Sequence, residues 1–188
     1  KIVPKIHLIR YADDFIVTAK DRETIETVIL PLVRNFMAER GLTLSEEKTK
    51  ITHISEGFDF LGFNIRKFPN NTLLTQPSSD AKKRFCDKIR KVIESNKTAK
   101  QHSLIKMLNP IITGWGNYYK YGTSAETFNR VDWEIHRKLW QWARRRHSNK
   151  SKGWIKDKYF KTVNGRKWRF MADMEERSKM RQITLAYL

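Results

Sequence analysis

The chain has 188 residues, enough for one good core or two small ones, and at 39% apolar and 31% charged it belongs with folding rather than disordered sequences. It has no apolar run of membrane-spanning length, no leader-like stretch in Lys1-Ile2-Val3-Pro4-Lys5, and one cysteine, Cys86, which excludes an internal disulfide framework and points to a reducing compartment. The formal net charge is +18 and is unevenly spread: residues 1–81 carry 11 basic and 11 acidic side chains, residues 82–152 carry 18 and 5, and residues 153–188 carry 9 and 4. A neutral first part joined to a basic remainder implies a polyanion held mainly by the second part. The aromatic-rich, well-patterned helices there favour nucleic acid over a membrane surface, with a merely solvated basic surface as the plain alternative.

Taken in chain order, residues 5–19 read as a β-hairpin, with strands on either side of Ala12-Asp13-Asp14. Asp is depleted in strands, so the pair marks a turn. It has two readings: a solvated hairpin tip, or two oxygen anions placed to hold a hard metal ion. Residues 21–40 read as a helix on the spacing of Ile25, Val28 or Ile29, Leu32, Val33 and Phe36, with Pro31 as a kink or restart and Gly41 as the stop. Leu42-Thr43-Leu44 reads as short and extended, and Ile51-Thr52-His53-Ile54 as a strand. Phe58 to Phe68 reads as a strand or hairpin containing Gly62, followed by a turn at Pro69-Asn70-Asn71.

Gln76-Pro77-Ser78-Ser79-Asp80 carries turn residues and N-cap candidates and coincides with the change of charge, so the domain junction is placed there. Three helices follow. The first covers about 80–95, with Ala81, Phe85, Ile89 and Val92 on one face. The second covers about 101–121, with Leu104, Leu108, Ile111 or Ile112, and Trp115, and with Pro110 implying a kink or break. The third covers about 124–147, with Phe128, Val131, Ile135, Leu139 and Trp142, a capping box at Thr123 and Glu126, and a basic end at Arg144-Arg145-Arg146. Residues 148–153 read as a basic linker. A small hairpin is expected around Asn164-Gly165, the favoured type I′ pair, and 173–188 has no assigned element.

The tetrapeptide Tyr11-Ala12-Asp13-Asp14 resembles the metal motif of reverse transcriptases. Gly41-Leu42-Thr43-Leu44-Ser45-Glu46-Glu47-Lys48-Thr49, Phe58-Asp59-Phe60-Leu61-Gly62-Phe63 and Ile112-Thr113-Gly114-Trp115-Gly116-Asn117-Tyr118-Tyr119 follow in the order and at roughly the spacing of the last palm blocks and maturase region of group II intron-encoded reverse transcriptases. Over about residues 1–150 the chain resembles that family. The resemblance implies an α+β fold: a partial polymerase palm at 1–78, a three-helix thumb or domain X at 79–150, and a basic extension at 151–188. It implies an RNA-directed DNA polymerase that binds group II intron RNA, assists splicing and copies the intron in retrohoming. The alternatives are a non-catalytic splicing maturase, or a reverse transcriptase recruited to another system such as CRISPR adaptation. The intact Asp13-Asp14 favours a working polymerase, since a pure maturase has no need of it.

The same resemblance implies Mg²⁺ held by Asp13 and Asp14, with Asp13 the direct ligand. The partner carboxylate of the family lies on an earlier strand, so the metal site is expected to be incomplete here and to need an upstream fingers-palm half. Tyr11, Lys48 and Gly62 are implied as primer or nucleotide contacts. The candidate RNA contacts are Lys82, Lys83, Arg84, Lys88, Arg90, Lys91, Arg137, Arg144, Arg145 and Arg146, with Trp133 and Trp140 as stacking aromatics because they fall off the apolar stripe. Trp115, Tyr118 and Tyr119 could also stack, though core packing is the stronger reading for them. The other partners implied are an RNA template and a DNA primer or target. The expected setting is a ribonucleoprotein in a bacterial cytoplasm or an organelle, away from membranes.

Overall fold

A computed structural model describes residues 5–176 and 179–188, so residues 1–4, where no leader was read, lie outside the described residues. The chain divides into two compact units, 1–57 and 58–188. The junction placed at 78/79 marks a change of charge and of element type, whereas the change of packing falls at 57/58. The molecule is mixed helix and sheet.

The first unit opens with β1 (His7–Tyr11) and β2 (Asp14–Thr18), an antiparallel pair running from His7 opposite Thr18 to Tyr11 opposite Asp14. Asp21 then caps the next helix, accepting from the Thr24 N–H at 2.8 Å. The helix is α1 (Arg22–Thr24), a π-helical turn (Ile25–Ile29) and α2 (Leu30–Ala38). Pro31 explains the π turn: it lacks an N–H and its ring crowds the carbonyl four residues back, so the winding loosens just before it and the helix restarts. The stop is at Gly41, as its sequence position suggests. Its φ is +67°, its N–H bonds the Ala38 carbonyl at 3.0 Å, and the Leu42 N–H bonds the Met37 carbonyl at 2.9 Å. Ile51-Thr52-His53-Ile54 does not form a strand. Among the described residues no strand pairs with it, and an unpaired β-branched run has nothing to hold it extended.

The second unit begins with the sheet β3 (Phe58–Phe60), β4 (Phe63–Lys67) and β5 (Leu73–Pro77), all antiparallel neighbours. Helices α3 (Ser79–Ser95), α4 (Gln101–Tyr119) and α5 (Ala125–Arg146) follow, then α6 (Lys152–Tyr159) and a second sheet of β6 (Phe160–Val163), β7 (Arg166–Glu176) and β8 (Lys179–Thr184). Ser78 caps α3 through the Ala81 N–H at 3.2 Å. Most of the predicted stripe positions form the core, Phe85 and Ile89 from α3, Leu104, Leu108 and Ile112 from α4, and Val131, Ile135, Leu139 and Trp142 from α5, joined by Ile93 and Ile105, while Val92, Trp115 and Phe128 are only half-buried. Burying each such aliphatic side chain is worth about 1.5–3 kcal/mol. Pro110 does not break α4, which runs unbroken through it with Pro110 on the exposed side. The Thr123–Glu126 capping box is also absent: Ser124 is the N-cap residue, and its hydroxyl donates to the Tyr119 carbonyl at 2.8 Å, tying α5 to the end of α4.

The C-terminal residues return to the bundle, an element no sequence pattern indicated. Asn109 on α4 donates to the Thr184 carbonyl at 3.0 Å and accepts from the Ala186 N–H at 2.8 Å. The Leu188 N–H reaches the Asp132 carboxylate at 3.4 Å. Burial pushes the Asp132 carboxyl up to about 6, with the Leu188 N–H and the Arg169 guanidinium pulling it back only in part. A carboxyl whose folded pKa is raised stabilises the fold below its unfolded pKa of ~4, and that contribution is lost as the pH rises through about 6. Asp132→Asn should therefore flatten the stability curve across that window and gain about 1 kcal/mol near neutral pH, after discounting for partial exposure. Urea unfolding at about pH 4.5 and 7.5 reads this, and parallel curves for both chains would contradict it.

Candidate metal hairpin and nucleic-acid interface

The β1–β2 hairpin closes at Tyr11 and Asp14, leaving Ala12 and Asp13 as a two-residue turn. Ala12 sits at φ +52°, a left-handed conformation that costs a non-glycine residue on the order of 1 kcal/mol. Tyr11 and Asp14, being directly opposed, share one face, and Asp13 stands at the tip. All three are exposed, Tyr11 at 65%. Two carboxylates on a tight hairpin are the right donors for a hard cation. Among the described residues no group of three or more His, Cys, Asp or Glu is arranged to hold a metal. The hairpin therefore fits such a site in chemistry, and Asp13 and Asp14 could supply two of its ligands. Lys48 lies in an exposed turn whose N–H bonds the Ser45 carbonyl at 3.2 Å.

Gly62 has a reason inside the second unit. Leu61 and Gly62 form the β3–β4 turn at φ +50° and +79°, and a Cβ on Gly62 would lie 2.5 Å from the Tyr119 hydroxyl oxygen. The Tyr118 hydroxyl donates to the Leu61 carbonyl at 2.8 Å. Thus the Tyr118-Tyr119 end of α4 clamps this turn. Trp115 is half-buried, stacked on Phe85 with centroids 4.5 Å apart. Trp115 and Tyr119 take the core reading, whereas Tyr118 is 51% exposed and its hydroxyl is engaged.

The basic residues divide. On α3, Lys83, Arg84, Lys88, Arg90 and Lys91 are exposed, with Arg90 paired to Asp87 at 2.9 Å, while Lys82 is half-buried. On α5, Trp133 is 61% exposed and the Arg137 guanidinium lies 5.6 Å from its ring centre, so a stacking aromatic and a cation sit together. Arg137 also pairs with Glu134 at 2.8 Å. Trp140 is not free for stacking as expected. It packs half-buried against Phe160 and Trp168, because the second sheet supplies a further apolar surface on that side of α5. Arg144 and Arg145 are exposed, but Arg146 donates to the carbonyls of Lys97 at 2.8 Å and Ala99 at 2.9 Å, which makes it a brace of the α3–α4 loop. Replacing Arg144 and Arg145 by Gln should flatten the salt dependence of RNA binding by roughly 1.5 units with little loss of stability. Arg146→Gln should instead lower the unfolding midpoint. Filter binding across a salt series, with urea unfolding alongside, checks both, and an unchanged slope would remove the first two from the interface.

Sequence reasoning passed over a second aromatic and basic cluster. Trp154 on α6 is exposed, with the Lys158 and Lys150 ammonium groups 4.8 Å and 5.6 Å from its ring centre and His147 edge-on at 4.7 Å. The available signal was Trp154-Ile155-Lys156-Asp157-Lys158, an aromatic four residues from a lysine on a short helix.

Two family models match the chain. Residues 1–65 match the reverse transcriptase (RNA-dependent DNA polymerase) family, and residues 82–160 match the group II intron maturase-specific domain. The chain belongs to the group II intron reverse transcriptase/maturase family. Among curated proteins, it is 30% identical to the group II intron-encoded protein LtrA of Lactococcus lactis subsp. cremoris over 159 residues, covering 66% of this chain and 25% of that protein. It is 29% identical to an uncharacterized 91 kDa protein in a cob intron of Schizosaccharomyces pombe, over 62% of this chain and 17% of that protein. The chain thus spans a quarter or less of the length of these relatives. The Asp13-Asp14 hairpin of this family member lies within the reverse transcriptase match, and α4, α5 and all but the first turn of α3 lie within the maturase match.

Proposed function

We propose that this chain is the palm-hairpin and thumb portion of an RNA-directed DNA polymerase that binds group II intron RNA, assists its splicing and copies it in retrohoming. The observation that carries the reading is the placement of Asp13 in the two-residue turn and Asp14 at the start of β2, adjacent and exposed in a neutral unit, in the same chain as a basic helical unit. Asp13 and Asp14 would hold Mg²⁺, which when bound supplies activation of a primer hydroxyl and neutralises charge developing at phosphate. Tyr11, on the face of Asp14, would border the primer terminus or incoming nucleotide, and Lys48 a phosphate. Gly62 would admit a primer only along its backbone, since Tyr119 covers its side-chain position.

The remaining ligands would come from an upstream fingers-palm half. The first unit carries apolar faces suited to such a partner: Leu8 and Ile9 on the hairpin, and Val28, Leu32 and Phe36 on the helix, are all exposed. The polymer partners are intron RNA, an RNA template and a DNA primer, in a ribonucleoprotein; no helix among the described residues is long and apolar enough to cross a membrane.

A second reading, a splicing maturase without polymerase activity, is favoured by the basic unit having its own closed core. One preparation, containing this chain and its upstream half, tests both. Intron splicing at limiting Mg²⁺ together with RNA-templated primer extension supports the first reading. Splicing without extension supports the second.

A further inference from the structure

The ends of α3 and α5 enclose a cleft of about 470 Å³, within the roughly 300–1,000 Å³ usual for small-ligand sites. Its walls include Glu94 and Lys97 beside the end of α3, and Lys138, Gln141, Arg145 and Arg146 from α5. The Arg146 guanidinium carbon lies 4.5 Å from the ring centre of buried Trp142, and its two bonds to the Lys97 and Ala99 carbonyls fix the plane. The Arg146 side chain itself lines the cleft. A guanidinium plane held in this way is a ready stacking platform for a base, with little ordering left to do on binding.

The charge around the cleft is mixed in an informative way. Lys97, Lys138 and Arg145 suit phosphates. Glu94 has no cation partner among the described residues, and in a plain phosphate clamp a lone carboxylate would repel the ligand. Opposite an exocyclic amino group it becomes an acceptor, the pairing by which acidic side chains recognise cytosine. Such an edge is free only on an unpaired base, because side chains cannot read the deep groove of an RNA duplex.

We propose that this cleft takes one unpaired, amino-bearing base of single-stranded RNA, stacked on Arg146, with Glu94 accepting from its amino group and Lys97, Lys138 and Arg145 on the flanking phosphates. The proposal rests on reading the chain as an RNA binder and adds a site that discriminates between bases. The test is fluorescence anisotropy of the full chain with labelled oligocytidine and oligouridine of about eight nucleotides. Cytosine and uracil match in size and differ where Glu94 would read them, so the cytidine strand should bind about tenfold more tightly. Glu94→Gln, at an exposed position that carries no fold, should bring the ratio close to one. Changing Lys97, Lys138 and Arg145 together to Gln should weaken both strands alike and lower the salt slope by about two.

Equal wild-type affinities, or a ratio unchanged by Glu94→Gln, overturn the proposal while leaving the RNA-binding reading in place. Failure to bind either strand or structured RNA overturns both.

Discussion

Asp13→Asn should abolish RNA-templated primer extension, by at least about 10²–10³-fold, while leaving intron RNA binding and thermal stability unchanged. Asn keeps the turn chemistry of Asp and removes only the charge. Asp13 is exposed at a hairpin tip, so no packing is lost. The cations expected to hold RNA lie in a different compact unit, so affinity has no route to change. Extension kinetics and filter binding on the same preparation, with the upstream half present, decide the matter. A loss of RNA affinity comparable to the loss of extension would contradict the separation of roles.

The second large effect is structural. Gly62→Ala should destabilise the second unit by about 2–3 kcal/mol, from two sources. The residue sits at φ +79°, which costs an alanine about 1 kcal/mol wherever it occurs. The added Cβ also meets the Tyr119 hydroxyl oxygen at 2.5 Å, while the next ring atom is 3.6 Å away. Tyr119→Phe removes the clashing oxygen, so in that background Gly62→Ala should cost only about 1 kcal/mol. Urea unfolding of the four chains of this cycle measures the coupling directly. Additive effects would show that Tyr119 is not what keeps position 62 a glycine.

The second unit was legible because its helices obey one strong rule. Buried positions three and four apart set the faces of α3, α4 and α5, and the sequence boundaries fall within a few residues of those observed. The Asn164-Gly165 hairpin was legible for a different reason: both residues adopt positive φ, +49° and +75°, which few residue pairs do cheaply. What failed depended on partners. Residues 51–54 have strand composition but no strand beside them. The capping box expected at Thr123 and Glu126 gives way to an N-cap at Ser124, whose hydroxyl donates to the Tyr119 carbonyl.

At the candidate sites, residue type was readable and availability was not. Trp140 and Trp133 both fall off the helix stripe, and only the position of the second sheet separates a packed ring from an exposed one. Arg144, Arg145 and Arg146 are identical in sequence terms, yet the third is held by two loop carbonyls 49 and 47 residues earlier in the chain. The return of 185–188 onto Asn109 and Asp132 left no periodic trace, because single hydrogen bonds to side chains carry none.

Whether the carboxylate pair works with an upstream half is decided by primer extension on an RNA template with Mg²⁺, comparing this chain alone with this chain plus the upstream fingers-palm half. Extension is expected only when both are present, because Asp13 and Asp14 would supply two members of a larger carboxylate set. Extension by this chain alone, or none from the combined halves while RNA is still bound tightly, would contradict that expectation.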